Sequence, residues 1–395
     1  MRFGILGLGL WLLAAPLAAQ QDCVDFLGKC HRTASSFVSL TLPQDGADLG
    51  GIGVLDWAET LVLTGPEGQR PTVSIAALTE LPELQELTLE NLTLSDPGAL
   101  AALPITELRF KNVAADDFSA LAQIGTLRDL GFVETPGLPE LDLASLPPLV
   151  RFTLVDTPMP SLDGLERLTD LDSLVLANTG ATDLSALAAL NLRRFIMRGA
   201  GLDDLSMLSG STNLQFLTLN HSEVTSLDSL PHVENLYNVS AMNSALTDVS
   251  ALVAAKNLRF LDLRGSKVAD VTGIDHLPML EELDLRETPL ADLSPLRNLR
   301  ALERLWLTDS KVADLGPLAG LPSITQLSIS GLPAEDASAL AALDKVTILW
   351  MNDNRVPDLT PLLDMDALQA LRIDDERLVN RDRLEEFIAQ RVLPD

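Results

Sequence analysis

Two cysteines, one tyrosine and four histidines are all that this chain of 395 residues carries of those types, and its 28 basic residues face 56 acidic ones. Each shortage removes a class of function. Cys23 and Cys30 are too few for a disulfide framework, and neither sits in the sequence context of a nucleophile paired with histidine. His232 and His276 fall at matching positions two repeats apart, roughly 10 Å, too far to share one metal ion. A formal net charge of −28 repels nucleic acid and anionic membranes alike, and nucleic acid is not expected as a partner. No Gly-rich loop follows a strand in a phosphate-binding context, and no nucleophile stands with its base. Low-complexity stretches are also missing. These absences lead to an expectation of no cofactor, no metal and no catalytic residues.

The N-terminus is specific. Residues 1–19 read as a secretory signal peptide, with Arg2 as the positive start, an apolar segment at 3–13 and Leu17-Ala18-Ala19 before the cleavage point. That apolar run is too short to span a bilayer, and Gln20-Gln21-Asp22 is not a lipobox ahead of Cys23. The expected product is a soluble periplasmic or secreted protein without membrane insertion. Its charge is −29, because Arg2 is the only charge lost from −28. In an oxidising compartment Cys23 and Cys30 are expected to pair. So short a crosslinked loop adds only about 2–3 kcal/mol, which suits a device that closes one end of an open structure.

The abundant residue is leucine, and it recurs. Two neighbouring units read LPMLEELDLRETPLADLSPLRN (277–298) and LRALERLWLTDSKVADLGPLAG (299–320). Aligned on L-x-x-L-x-L, the first Leu-type position falls at 84, 105, 127, 149, 171, 192, 214, 236, 258, 280, 302, 324, 346 and 368, fourteen units with eleven spacings of 22 and two of 21. Such a period means a stacked solenoid that grows by adding units. Leu302, Leu305 and Leu307 alternate around Trp306 as a short strand with one buried face, and Val312, Leu315 and Leu318 return the chain and point inward. Ser310 holds a polar turn position shared by Thr135, Thr157, Thr179, Ser222, Ser244, Ser266, Thr288 and Asn354, and interrupted at Ala200 and Leu332. Its short side chain is expected to hydrogen-bond the neighbouring turn. In the segments 292–296, 314–318 and 358–362, Ser294 or Thr360, with Gly316 in the same place in the second, is expected to cap a short helix or 3₁₀ turn that begins with Pro.

The L-x-x-L-x-L core, the polar turn position and the D-L-S-P-L segment resemble the leucine-rich repeat family, and closely its internalin-like, 22-residue bacterial class. The resemblance is strong over 84–375, with degenerate units at 37–42 and 58–63. It implies an α/β fold: a right-handed horseshoe solenoid with a parallel sheet on the concave side, short helical or 3₁₀ turns on the convex side, and a protein ligand on the concave face. The chain departs from it in having Ser or Thr along most of the row where Asn is usual. The expected organisation is signal peptide 1–19, disulfide-bearing N-terminal cap 20–57, repeats 58–375, and C-terminal helical cap 376–395, where 381–392 reads as an amphipathic helix. The stretch around Gly65-Pro66-Glu67-Gly68 is expected to be a surface loop.

Strand alternation also identifies the outward concave residues: those two, four and six positions after each unit's first Leu-type residue, 42 in all. They hold 8 of the 21 arginines that follow the signal peptide, and their charges sum to +1 against −30 for the rest. Aromatics and arginine are enriched at protein-binding hot spots. The expected ligand-binding residues are Phe216, Met242, Phe260, Arg264, Arg286, Arg304, Trp306 and Trp350. Asp262 and Asp284 fall at equivalent places on adjacent strands, and salt bridges to Arg264 and Arg286 explain them more simply than a hydrolase pair. The expectation is an exported, non-enzymatic protein-binding module; the alternative is an envelope scaffold without a specific ligand.

Overall fold

The computed structural model describes residues 23–138, 141–199 and 201–373. The expected signal peptide, the C-terminal cap and the break at Ala200 lie outside those residues. Within them each unit contributes one strand and one turn of 3₁₀ helix. In the unit from Leu302, the side chains of Leu302, Leu305, Leu307, Val312, Leu315 and Leu318 are all buried, while Arg304 and Trp306 on the strand Arg304–Trp306 face outward and are half-buried. Stacking repeats this in register. The strands pair in parallel and in chain order from Phe37–Thr41 to Ala370–Arg372, sixteen in the main series. No pairing joins those two end strands among the described residues, so the sheet is open. Both degenerate units supply strands to it, Phe37–Thr41 and Thr60–Thr64.

The irregular loop after Thr64 is exposed at Glu67–Arg70 in sequence positions 67–70 and returns as the two-residue strand Thr72–Val73, which pairs with Thr93–Leu94. Ahead of the sheet, Cys23–Phe26 and Lys29–Arg32 form an antiparallel hairpin. Cys23 and Cys30 are bonded across it with Cα atoms 5.4 Å apart, and Phe26 is buried against the leucine core.

Fifteen 3₁₀ segments line the side opposite the main sheet. Their start corrects the expectation from sequence. The residues preceding Ser294–Leu296, Gly316–Gly320 and Thr360–Asp364 make no side-chain cap hydrogen bond. Instead, the aspartate two positions before Ser294, Gly316 and Thr360 accepts that residue's backbone N–H: Asp292 at 2.8 Å, Asp314 at 2.8 Å and Asp358 at 2.9 Å. A carboxylate is the stronger acceptor, so Asp captures the free N–H and Ser or Thr follows it.

A second feature recurs where each strand ends. The residue seven after the first Leu-type position has a positive φ in all thirteen units from 84 to 346, from Asn91 (54°) to Asp353 (54°), with glycine at 199, 265 and 331. Asn, Asp and Gly tolerate the left-handed region best. At Gly265 a Cβ would run into Asn243 Oδ1, and at Gly331 into Asp309 Oδ1, the side chains of the same position one unit earlier.

The polar turn row divides into two kinds of bond. Thr157 Oγ1 accepts the Thr135 N–H at 3.2 Å, linking neighbouring units as expected. Ser244 and Thr288 instead donate to the carbonyls of Ala241 and Leu285 within their own turns, each at 2.7 Å.

Candidate functional site

All eight expected ligand-binding residues lie on the concave face, half-buried by their neighbours. Phe216, Met242, Phe260 and Arg264 belong to consecutive units, with Phe216 in register with Asn238 and Asn238 with Phe260. Arg286 and Arg304 follow on the next two units. Trp306 is in register with Ser328, and Ser328 with Trp350, so one small, buried serine separates the two indoles. Ser328 Oγ and Thr308 Oγ1 lie 2.6 Å apart and satisfy each other.

The arginines differ in what they touch. Arg286 Nε lies 2.9 Å from both Asp284 oxygens, and Arg304 Nε lies 2.8 Å from Glu282 Oε2. Both are therefore neutralised within the face. Arg264 is not. Its guanidinium turns to the Met242 sulfur at 3.4 Å, while Asp262 accepts only the Arg264 backbone N–H at 3.1 Å. The expected mutual salt bridging of the two aspartates thus holds for Asp284 and fails for Asp262. Burial raises the Asp262 carboxyl above its ordinary value, against the Arg264 N–H that lowers it, and the neighbouring Asp284 raises it further. Asp262 and Asp284 are in register, but no histidine belongs to either strand. Among the described residues no group of three or more His, Cys, Asp and Glu side chains could hold a metal ion.

Several residues of this face escaped the strand-alternation argument. Tyr237, at the position just before the strand Asn238–Ser240, places its ring 5.7 Å from Phe216 and 5.5 Å from Phe260. Arg194 lies over the Phe216 ring at 4.3 Å, Arg193 at 5.7 Å, and Arg259 over Tyr237 at 5.9 Å. The signal was available: the position directly after each unit's first Leu also points out of the core, and 193, 237 and 259 all occupy it. Three rings and three guanidinium groups thus form one continuous cluster, in geometries where cation–π attraction holds the arginine heads against the rings.

The concave face can therefore present clustered, tilted rings and cationic edges to a partner. No protein-family model matches the chain, and no curated protein does. Solved structures match over most of its length. An internalin from Listeria monocytogenes superposes with a TM-score of 0.62 at 21% identity, over 80% of this chain and 87% of its own. A leucine-rich-repeat protein from Leptospira interrogans gives 0.67 at 15% identity, over 91% and 89%. The leucine-rich-repeat ectodomain of a plant membrane receptor kinase from Arabidopsis thaliana, solved in complex with Casparian strip integrity factor 2, gives 0.61 at 15% identity, over 90% of this chain and 45% of its own. Identity at this level speaks for the backbone alone, and that backbone is an internalin-like leucine-rich-repeat solenoid.

Proposed function

We propose that the protein is an exported, non-enzymatic binding module that holds a protein ligand against its concave sheet. The distribution of aromatic rings carries this reading. Of the thirteen aromatic residues described, six are buried in the core, and five of the other seven, Phe216, Tyr237, Phe260, Trp306 and Trp350, lie along the concave face. Leaving large rings partly in water forgoes burial energy of about 25 cal/mol per Å². A run of them interleaved with arginine has the composition of a protein-binding hot spot. The Cys23–Cys30 bond supports an oxidising compartment. Among the described residues no helix is long and apolar enough to cross a membrane.

The reading is tested by panning a display library of extracellular-protein fragments against the protein. Ligands that emerge are expected to lose at least about 30-fold in affinity, about 2 kcal/mol, on Trp306→Ala. The exposed Lys311→Ala serves as control and should change nothing. Melting temperature should barely move, because a half-buried outward ring leaves no closed cavity. Ligands indifferent to Trp306→Ala and Trp350→Ala would overturn the reading, as would a panning that yields none, which is the behaviour of a scaffold.

A further inference from the structure

The concave face contains nine basic residues on strand-alternation positions, and their pairing is uneven. Arg109, Lys111, Arg151, Arg286 and Arg304 each sit in an ion pair with Glu90, Glu107, Asp129, Glu282 or Asp284. Arg372 stands apart at the last described strand, and among the described residues Arg194, Arg198 and Arg264 form no ion pair. These three stand together, on or beside four adjacent strands: Arg194–Arg198, Phe216–Asn220, Asn238–Ser240 and Phe260–Asp262. The acids nearby do not compensate them. Asp172 is engaged by Arg193 and Asp284 by Arg286, which leaves Asp262, bound by the Arg264 backbone N–H, as one carboxylate against three guanidinium groups. In a chain of net charge −28, this is a local positive field with an aromatic floor.

We infer that this patch binds an extended acidic peptide segment, its carboxylates on Arg194, Arg198 and Arg264 and its apolar side chains on Phe216, Tyr237 and Phe260. The inference rests on the reading of the concave face as the binding surface and names the partner's chemistry. Size follows from the sheet. Four strands span three spacings, about 14 Å, or about four residues of extended chain. Beyond the patch on either side Arg151, Arg286 and Arg304 are already neutralised, and the rest of the protein is acidic. A long polyanion would run out of cations after a few units, whereas a short acidic segment fits the length of the patch. The planar Arg194 guanidinium, held against the Phe216 ring, keeps its outer N–H donors free for bidentate bonds to carboxylate.

Fluorescence anisotropy with a labelled Glu-Glu-Phe-Leu-Phe-Glu-Glu peptide, its Gln counterpart and a seven-nucleotide oligothymidylate tests it. The Glu peptide is expected to bind at least tenfold tighter than the Gln peptide at low salt, with the difference shrinking as salt rises. Arg198→Gln, at an exposed residue with no side-chain partner, should weaken the Glu peptide several-fold. The triple change with Arg194→Gln and Arg264→Gln should abolish the preference for Glu over Gln. Arg151→Gln, at a neutralised arginine outside the patch, should leave that preference in place. Equal binding of Glu and Gln peptides, no binding of either, or tighter binding of the oligonucleotide would overturn the inference. Ligands from the fragment library that still depend on Trp306 would then show that the concave face binds and only the acidic partner is wrong. Loss of that dependence as well would overturn both.

Discussion

Among the regular units from Leu84 on, those before Phe216 send their aromatic side chains inward, and those from Phe216 onward send theirs out. Phe110, Phe118, Phe132, Phe152 and Phe195 are buried, Phe110 and Phe132 stacked at 4.9 Å with Phe118 edge-on to both. After Phe195 no described aromatic is buried. Strand length changes in the same region: nine residues in Glu86–Leu94, five in Phe216–Asn220, and three in every strand from Asn238–Ser240 on. The shorter strands do not lose the ladder. Leu285 N still donates to Trp306 O at 2.8 Å, and Glu287 N to Thr308 O at 2.8 Å. They turn sooner, as when the Ser310 N–H closes back on Leu307 O at 3.0 Å. One backbone path thus serves two placements, with the aromatic residues in the core of one half and on the concave surface of the other.

The sharpest way to break this contrast is to truncate a ring from each half. Phe132→Ala removes a fully buried ring packed between two others, and is expected to cost about 3–5 kcal/mol in urea denaturation. It should leave concave-face binding untouched once the protein is folded, because no Phe132 atom reaches that face. Trp306→Ala should do the opposite. If both variants lose stability to the same extent, the outward rings are core residues and the division between halves is wrong.

The hydroxyl row offers a finer comparison. Thr157 Oγ1 accepts the Thr135 N–H and donates to Val155 O at 2.9 Å, all of it buried. The isosteric Thr157→Val leaves a buried N–H without a partner and is expected to cost about 1–3 kcal/mol. Ser310 Oγ is buried with no hydrogen-bond partner. Ser310→Ala is therefore expected to be neutral within about 0.5 kcal/mol, or slightly stabilising. Equal losses from the two would mean that the threonine bond between units contributes nothing.

Most of the architecture was legible in the spacing of leucines, because a 22-residue period leaves no other way to bury them. Strand positions, inward faces and the register of Asp262 with Asp284 all follow from it. Side-chain partners do not. Asp262-Leu263-Arg264 and Asp284-Leu285-Arg286 are the same tripeptide one unit apart, yet only the second closes a salt bridge. The preceding unit decides: Arg264 has the Met242 sulfur beside it, whereas Arg286 has Arg264. Tyr237 was missed for a geometric reason, since a period of two assigns no face to a residue before its strand begins. The aspartate caps were missed because Asp and Ser both accept hydrogen bonds and only the folded turn shows which oxygen is in reach.

Those caps lead to the smallest expected effect, and it separates the convex side from the concave one by sign. Hydrogen bonds from the Ser294 hydroxyl and then its backbone N–H hold the Asp292 carboxyl below its ordinary value. A folded-state pKa below the unfolded one means stability that is present above about pH 4 and is lost as pH falls through the folded value. Asp262 is shifted the other way, chiefly by burial. Its contribution is present in acid and is lost as pH rises through its raised pKa. Asp292→Asn should therefore melt slightly below the parent protein at pH 6, with the gap closing towards pH 3. Asp262→Asn keeps an oxygen for the Arg264 N–H and should melt slightly above the parent at pH 6, with that gap also closing in acid. Melting curves from pH 3 to pH 7 read both gaps directly. Two gaps of the same sign at pH 6 would mean that one of the two carboxyls does not sit in the environment assigned to it.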